Sequence, residues 1–249
     1  MNAADIIRDS IAEVEHLRQS ASRQEGLAAA VSTVKGYQSR RFAATYRDLI
    51  AGGPFQRATT FFLEELYGET DYSRRDAQFS RIAGAIQRLL PEAAVATAVA
   101  LARLHALTER LDLLMGEIWL AEAAKPEIAG LHGKYVRAWQ IAGHRSERNQ
   151  QLQLVLDVGS DLDLLTQKSG LRMLLRMMRA PSQAAGLADL QHFLELGFDT
   201  FSALGSQKGK VNEFLRIIET RESSVLRALF SYDLNSAREY LISLHEKGQ

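Results

Sequence analysis

Cysteine is absent from the 249 residues, which excludes disulfides, thiolate nucleophiles, Cys-ligated zinc and iron–sulfur clusters. Proline is scarce. Pro54, Pro91, Pro126 and Pro181 each fall between periodic apolar segments, where a residue without an N–H suits helix starts and breaks. Neither sign of charge is in excess: 30 basic and 30 acidic side chains cancel, which argues against a generic nucleic-acid binder and leaves only a local basic patch open. No stretch approaches the roughly 18 uninterrupted apolar residues of a membrane span. The segment Met1–Asp5 opens no basic region followed by an apolar run, so no secretory leader is expected. The cytoplasm is the default location, with export after removal of a leader left open.

A hydrophobic content of 46% is too high for a disordered chain. Leucine and alanine, both strong helix formers, are the commonest residues, and no segment alternates as a half-buried strand would. The fold class is therefore all-α, a single-domain bundle of about ten or eleven helices over residues 1–249. Expected helices run over 5–22, 27–50, 56–67, from Ser73, 92–124, 127–144, 147–166, 170–179, from Ser182 to Gly205, 210–230 and 236–247. Gly52-Gly53-Pro54 and Gly68 mark stops. Ser73 with Asp76 three residues on reads as a capping-box-like start, and Ser182 as a cap. The longest helix carries Leu104, Leu107, Leu111, Leu114 and Ile118 at steps of three and four. No fixed-period repeat points to a solenoid.

Most catalytic signatures fail. Gly205-Ser206-Gln207-Lys208-Gly209-Lys210-Val211 resembles a phosphate loop, but its glycines are one residue too close and Val211 stands where Ser or Thr would hold magnesium. It reads as a helix-ending glycine and a basic turn. Glu13-Val14-Glu15-His16 has no second copy to complete a di-metal site. His105, Glu109 and Asp112 share one helical flank, either as a surface charge cluster or as ligands for one metal. His132 shares a face with Ile128, Tyr135 and Trp139, as a core histidine or as part of an aromatic pocket. His192, Glu195 and Asp199 occupy a polar face. The segment Leu171–Arg179 is amphipathic, basic and rich in methionine, either a core helix with a basic edge or a surface for a partner.

The most informative stretch is Phe61-Phe62-Leu63-Glu64-Glu65-Leu66-Tyr67-Gly68, followed by Arg74-Arg75-Asp76. At 100° per residue, Glu65 projects between Phe61 and Phe62. Arg75 continues the Phe79, Ile82, Ile86, Leu90 stripe of the next helix, with Arg74, Arg81 and Arg88 facing outward. Glu222 occupies a stripe position among Phe214, Leu215, Ile218, Val225 and Leu229. Three inward charges must pair or change protonation. They form either buried ion pairs that set helix register or a polar pocket for a small ligand, and Glu222 shares Arg75 or uses a second arginine.

These residues resemble the signature of an uncharacterised group of proteobacterial all-helical proteins named for an FFLEELY motif, together with Leu196-Gly197-Phe198-Asp199 and Arg221-Glu222. The resemblance implies an all-helical fold and no established activity, substrate or cofactor. The reading that follows is a non-enzymatic cytoplasmic protein acting through a protein partner or through self-association, without cofactor, metal, nucleic acid or membrane span. The alternatives are a small-molecule-binding protein or enzyme with a pocket near Glu65, Arg75 and Glu222, and a metal or haem protein using His105 or His132.

Overall fold

The computed structural model describes residues 1–66, 71–122, 130–168 and 170–246. Tyr67, Gly68, Ala124, Pro126, Ile128 and Lys247, which entered the sequence reading, lie outside the described residues. The helices are α1 (Ala3–Arg23), α2 (Leu27–Thr45), α3 (Arg47–Ile50), α4 (Gln56–Phe61), α5 (Ser73–Leu89), α6 (Glu92–Glu122) and α7 (Gly130–Ala142). They continue with α8 (Arg145–Thr166), α9 (Leu171–Met177), α10 (Arg179–Ala184), α11 (Ala188–Gly205), α12 (Lys210–Ser231) and α13 (Leu234–Glu246). No strand occurs among the described residues. The fold class is all-α.

Several expected boundaries move for local reasons. The helix expected over 27–50 breaks at Tyr46, whose φ of −113° leaves the helical region, so α3 is separate. The helix after Pro54 widens into a π-turn over Phe62–Leu66. The expected capping box at Ser73 does not form: Asp71 Oδ1 accepts from the Ser73 N–H at 2.9 Å, while Asp76 turns to His105. Ser182 is likewise no cap. It lies inside α10 and its hydroxyl donates to Gln191 Oε1 at 3.1 Å.

The residues divide into two compact units. The first comprises Met1–Glu15, Thr70–Ala106 and Gln153–Arg216. Ala4, Ile7, Ala83, Ile86 and Ala102 form a buried cluster there, flanked by Phe79, Ile82 and Leu90, so the α5 stripe read from the sequence is a packing face. The second comprises His16–Glu69, Leu107–Leu152 and Ile217–Gln249. Its larger core joins Val34 and Tyr37 of α2, Met115 of α6, Tyr135 and Trp139 of α7, Val225 and Leu229 of α12, and Leu241 of α13. Here α2 and α6 approach closely: a Cβ built on Gly116 would meet Val31 Cγ2 at 2.4 Å and the Val31 backbone at 3.1 Å. Only glycine fits that crossing.

Candidate functional site

The three charges singled out in the sequence each sit in a distinct setting. Phe61 and Phe62 are buried edge to face, with ring centroids 6.2 Å apart. Glu64 is exposed and Glu65 half-buried on the π-turn. A π-turn closes i to i+5 bonds and winds more slowly than 100° per residue, which shifts the phase of every side chain after Phe61. Arg75 belongs to the first unit. Its guanidinium lies over Tyr72 at 4.1 Å and over Phe193 at 4.4 Å, a cation–π sandwich. Its neighbour Arg74 is exposed and pairs with Asp189 at 3.4 Å.

Glu222 is buried in the second unit, and its arginine is Arg41. Arg41 Nη1 donates to both carboxylate oxygens, at 2.6 and 2.8 Å, and the Tyr46 hydroxyl donates to Oε1 at 2.8 Å. Burial alone would favour a neutral Arg41, but the charge of Glu222 more than offsets it and raises the guanidinium above its ordinary range. Next door, Arg221 grips Asp48 through two bonds of 2.7 Å and the Thr45 carbonyl through a third of 2.7 Å. Those side-chain bonds, with the charge behind them, hold the Asp48 carboxyl below its usual range. Together these contacts lock α2, α3 and α12 in one register.

Arg41 is one member of a polar series on α2. Lys35 Nζ donates to both oxygens of Glu109 at 2.7 Å, and Arg18 adds a contact of 3.1 Å. Gln38 donates to Asp112 at 3.0 Å. Glu109 and Asp112 are therefore buried, 7% and 2% exposed, which overturns the reading of this flank as a surface charge cluster. The cause is that α2 covers α6 on this flank, while the outer face of α6 is the one carrying exposed Arg103, Arg110 and Glu117. Burial pushes the Asp112 carboxyl above its ordinary range, opposed by Lys35 and Arg148. His105 belongs to the first unit, where its Nε2 lies 2.9 Å from Asp76 Oδ2. Among the described residues no group of three or more His, Cys, Asp or Glu is arranged to hold a metal ion.

The aromatic centre of the second unit lies on the next turn of α2. Tyr37 stacks on Tyr135 with ring centroids 4.1 Å apart, and its hydroxyl is 2.7 Å from His132 Nδ1. His132 is half-buried at the edge of this core, edge-on to His245 at 4.9 Å. Burial pushes the Tyr135 phenol up to about 12. Among the described residues the buried Tyr135 Oη and Trp139 Nε1 have no hydrogen-bond partner, and the Trp139 ring carries the Arg148 guanidinium 4.2 Å from its centroid.

In the first unit, α9 has no buried residue. Met173 is 61% exposed, Met177 64% and Met178 37%, so the reading of Leu171–Arg179 as a core helix gives way to a surface one. Arg172 pairs with Asp199 at 3.0 Å, and Arg179 clasps Glu195. His192 is exposed, as a polar face requires, and so is His16. The phosphate-loop look-alike is a helix end at Gly205, a turn, and the start of α12 at Lys210.

Sequence reasoning missed Arg41, Tyr46, Tyr37, His245 and Arg238. The signal for the first was present: Lys35, Gln38, Arg41 and Thr45 recur at three- and four-residue steps along α2. A family model described as Domain of unknown function (DUF8198) matches residues 17–236. The chain belongs to this family. No curated protein and no solved structure matches the chain. The DUF8198 match covers every residue of the Arg41–Tyr46–Glu222 cluster and the whole of α9, whereas His245 and Arg238 fall beyond it. Among the described residues no helix is long and apolar enough to cross a membrane.

Proposed function

We propose that this protein is a non-enzymatic, cytoplasmic interaction protein that docks an acidic amphipathic helix of a protein partner on α9. The observation that carries the reading is the outer side of α9, where Met173 and Met177 are exposed beside Arg172 and Arg176 while Leu171, Leu174 and Leu175 are half-buried. Methionine is unbranched and polarizable and adapts to varied apolar surfaces. An amphipathic helix docks by laying its apolar face along such a surface. Arg176 adds a cation beside the methionines, next to Arg172 in its pair with Asp199, so acidic residues beside the partner's apolar face complement it. The Phe61–Tyr67 string supports kinship with the proteobacterial FFLEELY group.

The test places a photo-crosslinking amino acid at Met173 or Met177 in the full chain in cells. A defined partner band is expected, weakened by Arg172→Glu with Arg176→Glu. A pattern identical to that from a crosslinker at exposed Gln150 would overturn the reading. So would binding of the purified chain to anionic vesicles with no crosslinked protein, which would make the occupant a lipid surface.

A further inference from the structure

A second feature, independent of α9, lies where α7 meets α13. His132 and His245 approach edge-on, ring centroids 4.9 Å apart and planes at 68°. The fold fixes one nitrogen of each ring. His245 Nδ1 is 2.9 Å from the Leu241 carbonyl; a carbonyl only accepts, so Nδ1 carries the hydrogen. His132 Nδ1 is 2.7 Å from the hydroxyl of the buried Tyr37, which serves as donor or acceptor. Among the described residues neither Nε2 is engaged by a hydrogen bond. Arg238 stands seven residues before His245, on the same face of α13, and its Nε is buried without a partner among the described residues.

The charged groups acting on His132 are cationic, and Arg47 of α3 donates to the His245 carbonyl at 3.4 Å. From α13, His245 and Arg238 act on His132, and from α2, Arg40 and Arg41 act on Tyr37. Arg41 is already bound to Glu222. Burial lowers the His132 imidazole below its ordinary range, and His245 and Arg238 lower it further. A second imidazole and a guanidinium thus stand close enough to His132 to disfavour its charge. A bound anion reverses that balance: it accepts from the guanidinium and from both Nε2–H groups, and makes protonation of the rings favourable.

We propose that His132, His245 and Arg238 form a binding site for the oxyanion group, phosphoryl or carboxylate, of a small molecule. Tyr37 is a positioning residue. When His132 is protonated, its Nδ1–H donates to the Tyr37 oxygen and its Nε2–H faces the anion. On His245 the Nδ1–H stays on the Leu241 carbonyl, so the added proton falls on Nε2. Binding takes up protons and strengthens as pH falls from 8 to 6.

Calorimetric titration of the full chain with inorganic phosphate, O-phosphoserine and acetate, at constant ionic strength in chloride, tests this at pH 6 and pH 8. Saturable binding is expected, at least about tenfold tighter at pH 6. It should weaken about tenfold in Arg238→Gln and in His245→Gln and stay unchanged in His192→Gln. Binding of phosphate and O-phosphoserine without acetate assigns a phosphoryl group, and the reverse assigns a carboxylate. No saturation by any of the three at pH 6, or equal binding by the Arg238→Gln and His245→Gln variants, overturns the site. Imidazole NMR of the unmodified chain gives a readout that does not depend on any variant folding. The bound anion should raise the titration midpoints of both rings, and unchanged midpoints overturn the proposal.

Discussion

The two units differ in where they keep their arginine pairs, with the deepest one in the second. In the second, both members of Arg41–Glu222 are buried, with side chains 6% and 11% exposed. In the first, the arginines of the corresponding pairs stand in water: Arg74 is 83% exposed, Arg172 53% and Arg179 57%. A buried pair loses hydration at both ends and is favourable only if its hydrogen bonds repay that loss; here Arg41 Nη1 and the Tyr46 hydroxyl serve the carboxylate, while Arg41 Nε stays buried without a partner among the described residues. A surface pair gains little and costs little. The Arg41–Glu222 pair therefore specifies which helices meet, whereas the exposed arginine pairs of the first unit decorate helices placed by apolar packing and by buried contacts such as Asp76–His105 and Ser182–Gln191.

The sharpest way to break this contrast is Glu222→Ala, which strands Arg41 in the core. Urea unfolding should show a loss of about 3–5 kcal/mol, whereas Arg41→Leu combined with Glu222→Leu should restore most of it. A loss below about 1 kcal/mol for Glu222→Ala would put both units on the same footing. Gly116→Ala comes next. Its methyl would overlap Val31, and the contact includes backbone that a rotamer change cannot move, so about 1–3 kcal/mol should be lost. In the first unit, Arg74→Ala and Arg172→Ala should each cost under about 1 kcal/mol by the same assay.

The smallest effect concerns pH. The Asp112 carboxyl lies above its unfolded value because burial opposes ionisation. Between the unfolded and folded values the native state holds the extra proton, so stability falls as pH rises through that window and levels off above it. Asp112→Asn keeps an oxygen for Gln38 and removes the titration. Melting temperatures from pH 4 to pH 8 should therefore fall less steeply in the variant, and parallel curves would show that Asp112 does not titrate in this range.

What the sequence revealed and hid follows from periodicity. Apolar spacing of 3.6 residues exposed α1, α5, α11 and α12 directly, and it placed Glu222 among buried positions because a charge interrupting a regular stripe is conspicuous. Arg41 was harder to find, since α2 carries buried polar residues among its apolar ones and has no clean polar face to contrast with. Glu109 and Asp112 were misread because α6 is covered where they stand, so a polar flank does not imply solvent. The phase of Glu65 rested on a uniform 100° step that the π-turn breaks. Short helices such as α3 and α10 escaped because four to six residues do not complete a readable period.

The Arg41–Glu222 pair also has a consequence in time. Its members are 181 positions apart in the chain. At synthesis rates of about 5–20 residues per second, Arg41 is made roughly ten to forty seconds before its carboxylate exists. Throughout that interval α2 holds a cation destined for the interior with nothing to neutralise it. The second unit therefore closes around Arg41 only once α12 is made, and nascent collapse around α2 stays open or hydrated there until about the last sixth of these residues arrives.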